Sequence, residues 1–247
     1  MLNKDQVAEL KTYSPRYNQE DKDVMIMAKV KGTTFQDLIE DPNLKEQFNK
    51  GIKQRMKDIG RLAAFDMLIG NSDRFISLRP DLKEGLGPYP MANLGNWMYT
   101  INQGKIDKNL VAIDNGCVNT PGDDLPETLE NYVGVFANYI KNKQKDVADH
   151  ILIGMGWILQ GETNIANKDF LRKLVKDTFN EGRKSPITYD DLLTNVIEGL
   201  KQGMEEIKKS GNNETLQGLI TNSISPEERR LFEMIAARLR SLTESTA

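Results

Sequence analysis

Two carboxylates and one amide, Asp73, Asp114 and Asn96, each stand at the edge of an apolar segment. The first lies in Phe65-Asp66-Met67-Leu68-Ile69-Gly70-Asn71-Ser72-Asp73-Arg74. The amide opens Asn96-Trp97-Met98-Tyr99, and the second acid follows the apolar run in Val111-Ala112-Ile113-Asp114-Asn115-Gly116. Such a set suits phosphoryl transfer from a Mg-nucleotide, in which one acid steers the nucleophile while an Asn and an Asp hold the metal ions. Mg takes one or two carboxyl or amide oxygens and completes its shell with phosphate and water. Gly116 allows backbone to approach metal and phosphate closely. Taken singly, each piece is ordinary: Asn-Ser-Asp-Arg after a helix makes a capping turn, and Asp-Asn-Gly after a strand closes a hairpin. Their order along the chain is the signal.

Positioning these groups requires rigid elements, and the sequence supplies them. Val24-Met25-Ile26-Met27-Ala28-Lys29-Val30 reads as a buried strand, followed by a short helical turn over residues 33–39 that Pro42 closes. From Asn43 the pattern is helical, with Phe48, Ile52, Met56, Ile59 and Ala63 at spacings of three and four on one face. The run becomes nearly continuously apolar at residues 67–69 and stops at Gly70, so the helix delivers Asn71-Ser72-Asp73-Arg74 to a loop. Residues 75–95, with three prolines and three glycines, read as an extended loop. Residues 97–101 and 110–113 are two short strands, joined as a hairpin through Asn102-Gln103-Gly104-Lys105. After Pro126 the chain is helical, with turns near Gly161, Lys184-Ser185-Pro186 and Gly211-Asn212-Asn213. Thr188-Tyr189-Asp190-Asp191 and Ser225-Pro226-Glu227-Glu228 read as helix starts.

Composition narrows the functional classes. At 247 residues, 38% apolar and 28% charged, the chain has material for a substantial core. A net charge of −3 gives no reason to expect nucleic acid as a partner. One cysteine, Cys117, rules out an intramolecular disulfide framework and a zinc knuckle. The single histidine, His150, falls in a helical stretch and reads as a helix-face or core residue rather than the centre of a triad. No uncharged apolar stretch approaches the roughly 20 residues of a membrane span. The N-terminus lacks the apolar core of a signal peptide. A cytoplasmic location is the expectation, a profile that effectors secreted into a host cell share.

The order strand, helix, acidic loop, hairpin ending in Asp-Asn-Gly and helical remainder resembles the C-terminal lobe of the protein-kinase-like superfamily. The motifs are most similar to those of actin-fragmin kinase-like catalytic domains and type II phosphatidylinositol 4-kinases. There, a loop resembling Asn71-Ser72-Asp73-Arg74 replaces the His-Arg-Asp of ordinary protein kinases, and Asp114-Asn115-Gly116 stands where they carry Asp-Phe-Gly. The resemblance implies an α+β, mainly α fold in one kinase-like domain over residues 1–247. Residues 24–120 would supply hinge, catalytic loop and metal-binding hairpin, and residues 121–247 the helical part of the lobe. It implies ATP and Mg2+ as cofactors and a protein Ser or Thr hydroxyl as substrate. Asp73 would be the catalytic base or orienting acid. Arg74 beside it would pair with phosphate or with an acidic neighbour. Asn96 and Asp114 would be the Mg ligands, with Asn93 the alternative to Asn96. Met27, Ala28 and Lys29 would contact adenine at the hinge.

The pattern departs from the family in two places. The interval from Asp73 to Asn96 is longer than in ordinary protein kinases, so residues 75–95 are expected to be an insertion. Only about twenty residues precede the hinge strand, without a glycine-rich loop or a strand lysine. A separate chain or a missing segment would then supply the N-terminal lobe. A phosphoinositide kinase is the alternative enzyme, and a catalytically inactive kinase-fold interaction module is the alternative from another class.

Overall fold

Two short polar side chains set the first helices in the computed structural model, which describes residues 31–75, 78, 86, 94–113, 127–161, 167–210, 213–223 and 225–243. The Thr34 hydroxyl accepts from the Asp37 N–H at 3.2 Å and starts helix α1, Phe35–Glu40. Asp41 accepts from the N–H groups of Asn43 and Leu44 at 2.9 and 3.1 Å and starts α2, Pro42–Lys50. Pro42 therefore opens a helix rather than merely closing a turn. Its missing N–H costs nothing at the first helical position. The long helix expected from Asn43 divides at Gly51, and α3 runs Ile52–Ile69. The apolar phase from Phe48 through Ile52 to Ala63 carries across the division, and all of these side chains are buried.

Three antiparallel strands, β1 (Gly32–Thr34), β2 (Trp97–Asn102) and β3 (Lys105–Ala112), pair in the order β1-β2-β3. The β2–β3 turn is as read from the sequence: Gln103 and Gly104 both have positive φ, 50° and 74°, the signature of a tight two-residue hairpin. β3 is longer than expected because it begins at Lys105. The extra residues are absorbed where the register shifts between the Tyr99–Leu110 and Ile101–Ile106 pairs. Arg55 holds that irregular stretch, donating to the Asp107 carbonyl at 2.7 Å with its guanidinium 4.4 Å from the Tyr99 ring centre. Of residues 75–95, Leu78 and Leu86 form an isolated antiparallel bridge.

Trp97 and Tyr99 alternate onto the helical side of the sheet, as the pleat requires, and are fully buried. They join Phe35, Phe48, Phe75 and Phe179 in a cluster with ring centres 5.3–6.4 Å apart in its contacting pairs. This cluster fixes the start of β2, and hence the residue before it, Asn96.

The remainder is helical: α4 (Glu127–Asn142), α5 (Gln144–Leu159), α6 (Lys168–Asn180), α7 (Tyr189–Ser210), α8 (Asn213–Thr221) and α9 (Pro226–Thr243). Both predicted helix starts form. Thr188 and Asp191 exchange side-chain-to-backbone bonds at 3.0 and 2.9 Å, and the Ser225 hydroxyl accepts from the Glu228 N–H at 3.2 Å. The break between α4 and α5 at Lys143 carries no glycine or proline and was not foreseen. All these elements belong to one unit, Gly32–Ala247. The architecture is mainly α with a small antiparallel sheet. Among the described residues, no helix is long and apolar enough to cross a membrane. The expected strand at residues 24–30 lies outside the described residues.

Helices α3 and α7 approach backbone to backbone through glycines. A Cβ on Gly199 would lie 2.0 Å from the Lys57 carbonyl oxygen, and one on Gly60 would lie 2.1 Å from that of Val196. Neither carbonyl can retreat without breaking its helix. We expect Gly199→Ala to cost about 3 kcal/mol, the upper part of the range for overpacking. Gly134→Ala, whose Cβ meets nothing within 4 Å on α4, is expected to be neutral or stabilising by up to about 1 kcal/mol. Denaturant unfolding of the two variants reads the contrast, and equal midpoints would contradict the contact.

Candidate active site

The end of α3 is built around Asp66. Gly70 takes the left-handed conformation, φ 77°, that stops the helix, and the N–H groups of Gly70 and Asn71 both return to the Asp66 carbonyl. The Asp66 side chain turns the same way. Its Oδ1 accepts from Asn71 Nδ2 at 3.2 Å and pairs with the Arg74 guanidinium through Nη1. Asp66, Asn71 and Arg74 are each 1% exposed. Asn71 Oδ1 in turn accepts from the Asp73 N–H at 3.0 Å, an Asx turn that fixes the direction in which the Asp73 backbone leaves.

Arg74 connects three segments that are distant in sequence. Beyond its ion pair with Asp66, its Nε donates to the Asn96 carbonyl at 2.9 Å and its Nη2 to the Ile113 carbonyl at 3.1 Å. Asn96 and Ile113 are themselves joined, Ile113 N–H to Asn96 carbonyl, at 3.0 Å, which extends the β2–β3 ladder by one step. Five fork-arranged donors on a planar cation suit a buried junction of this kind, and a lysine could not span it.

Around this junction the half-buried Asp73 carboxylate meets Asn96. Asn96 Nδ2 donates to Asp73 Oδ2 at 2.6 Å. With its amide nitrogen committed to Asp73, Asn96 has its Oδ1 as the atom with which it can ligate a cation. That amide oxygen, at a strand start fixed by buried Trp97, could ligate Mg2+ once a second carboxylate, beside that of Asp73, joins the site. Asp114 is the candidate for that second carboxylate. It lies outside the described residues, although Ile113 immediately before it is held by Arg74. Met27, Ala28 and Lys29, the alternative ligand Asn93, and Cys117 also lie outside the described residues. Among the described residues, no group of three or more His, Cys, Asp or Glu is placed to hold a metal ion.

Of the two pairings open to Arg74 from the sequence, phosphate or an acidic neighbour, its guanidinium makes the second, buried with Asp66. Burial pushes the Asp66 carboxyl up to about 7, while Arg74 and Asn71 pull it down only part of the way. Its Oδ2 is buried and finds no donor among the described residues, which explains why the pull is incomplete. His150 is buried on α5, where desolvation lowers it to about 4. That is the behaviour of a core histidine rather than of a base poised near neutrality.

Two supporting residues were not singled out in the sequence. Asp66 was only one polar residue at a helix end, and the sequence did not say which acidic neighbour Arg74 would meet. Arg238, on α9, donates through Nη1 to the carbonyls of Met67 and Leu68, both at 2.9 Å, and so touches the last turn of α3. Nothing local in the sequence marks a contact made to backbone 171 residues away.

No family model, curated protein or solved structure matches this chain.

Proposed function

We propose that this chain is an ATP- and Mg2+-dependent phosphotransferase of the protein-kinase-like type, acting on a protein Ser or Thr hydroxyl. The observation that carries the reading is the Arg74 junction. It brings the Asn71–Arg74 loop, Asn96 and the residue before Asp114 together in the order the motifs require, with Asn96 against Asp73. In this reading Asp73 accepts or orients the hydroxyl proton of the acceptor, and Asn96 and Asp114 hold the metal. Mg2+ would supply neutralisation of the phosphate charge, which is most of what such a transfer needs beyond positioning. Arg74 acts by holding the three segments in register, with its charge balanced by Asp66. The residues Met27, Ala28 and Lys29 are proposed to contact the adenine. A separate chain or further segment is proposed to cover the nucleotide phosphates.

The test is label transfer from γ-labelled Mg-ATP by the purified chain, offered a mixed protein acceptor in one reaction and phosphatidylinositol vesicles in another. Label on Ser or Thr of protein, absent when EDTA is added, is expected. Label entering only the lipid would move the assignment to a phosphoinositide kinase, and none in either would contradict phosphotransfer by this chain.

A further inference from the structure

Helix α3 ends badly by its own means. The last four carbonyls of any helix lack intrahelical partners, and the negative end of its dipole calls for a cation. The last turn of α3 contains no basic residue and instead carries the acid Asp66. Arg74 answers the Asp66 side chain. The carbonyls of Met67 and Leu68 are answered from the far end of the chain, by Arg238 of α9.

Arg238 is an unusual residue to bury. It is 1% exposed, its guanidinium lies 5.3 Å from the centre of the Phe136 ring, and its Nε finds no acceptor among the described residues. Its partners there are two backbone carbonyls and a ring face, with no carboxylate. Desolvation accordingly lowers it to about 10, a cost that a merely apolar contact with α4 would avoid. A leucine or methionine would fill the same space between α9, α3 and α4 without desolvating a charge. What an apolar side chain cannot do is hold the last turn of α3, two residues before the glycine from which the Asn71–Arg74 loop departs.

We propose that Arg238 is a positioning residue for the candidate active site: by capping the Met67 and Leu68 carbonyls it fixes the end of α3, and with it the direction of the Asn71–Arg74 loop. The final helix is thereby part of the support of the site rather than a peripheral addition. The consequence for transfer rests on the phosphotransferase reading, whereas the consequence for the loop does not.

Hydrogen exchange followed by mass spectrometry on the full chain separates the two. In Arg238→Met, amides in a peptide covering residues 66–75 are expected to exchange about tenfold faster or more, while a peptide within α5 keeps the parent's rate. Arg238→Lys, which returns a cation to the same place, is expected to recover most of the protection. If Arg238→Met does not fold, Arg238→Gln, which keeps an amide donor without the charge, is expected to show the same local loss. Where the parent transfers phosphate, Arg238→Met should lower kcat by about tenfold and leave KM for Mg-ATP within about twofold, because the loop and not the nucleotide contact is disturbed. Unchanged exchange at residues 66–75 in a folded variant, or an equal rise throughout the chain, would overturn the proposal. A parent chain without transfer activity, combined with the local loss of protection, upholds the positioning role and counts against the phosphotransferase reading alone.

Discussion

Arg74→Met should lower stability by about 3–5 kcal/mol at pH 8, the range for removing one partner of a buried ion pair. The loss has three parts. The buried Asp66 carboxyl loses its cation and must bind a proton to stay in the interior, and the carbonyls of Asn96 and Ile113 each lose a charged donor. The dependence on pH distinguishes these parts. Burial already raises Asp66 to about 7, so in the parent its proton is bound in the folded chain and released on unfolding at pH values between about 4 and 7. Stability from this group is therefore fully present below the unfolded value and declines as pH rises through about 7. Removing Arg74 takes away the main attraction holding that value down, and the folded value rises further. Below about pH 6 Asp66 is protonated in both proteins, so the difference between them reduces to lost hydrogen bonds and packing. Above about pH 7 the difference should widen by about 1.4 kcal/mol per pH unit, until the carboxyl of the variant ionises. Denaturant melts at pH 5.5, 7 and 8.5 test this, and a pH-independent difference would contradict the ion pair. Arg74→Lys should behave much like Arg74→Met toward Asn96 and Ile113, since a point charge cannot serve three segments at once.

The second large effect concerns chemistry rather than stability. Asp73→Asn is expected to reduce kcat by about 10²- to 10⁴-fold, the contribution of a positioned general base, with KM for Mg-ATP little changed. The substitution is nearly isosteric. An asparagine at 73 still offers Oδ1 to Asn96 Nδ2, and its backbone N–H still reaches Asn71, so the loop should keep its shape. Stability should change by less than about 1 kcal/mol, because Asp73 is half exposed and the contact with Asn96 is retained. The single-turnover rate is the appropriate measurement, as it reports the chemical step free of product release. A rate equal to the parent's would remove Asp73 from the mechanism.

How much of this was legible in the sequence depends on where each partner lies. The face of α2 and α3 could be read because Phe48, Ile52, Met56, Ile59 and Ala63 repeat at helical spacing. The hairpin could be read because Gly104 marks a turn that needs positive φ. The stop at Gly70 followed from the same conformational freedom. Gly51 was missed as a division because the apolar phase runs through it unbroken. Gly60 and Gly199 look like weak points in helices until the two backbones are seen to touch. The approach of Asn96 to Asp73 was foreshadowed only by motif order, since residues 74–95 between them carry no sustained apolar period. Asp66 and Arg238 could not be found at all. Asp66 meets a guanidinium whose direction is set by the buried junction, and the charge of Arg238, aimed at backbone carbonyls, leaves no pattern in the side chains around it.

The most direct measurement of the central claim, that the Arg74 junction organises a Mg-nucleotide site, is thermal unfolding of the purified chain with ATP, with ATP and Mg2+, and with neither. It should be run on the parent, Asn96→Ala and Asp114→Ala. A ligand at about 100 times its dissociation constant adds about 2.7 kcal/mol of stability. The account predicts a rise in midpoint that requires Mg2+ in the parent and disappears in both variants. A rise of equal size in all three proteins, or none in the parent at millimolar Mg-ATP, would contradict it.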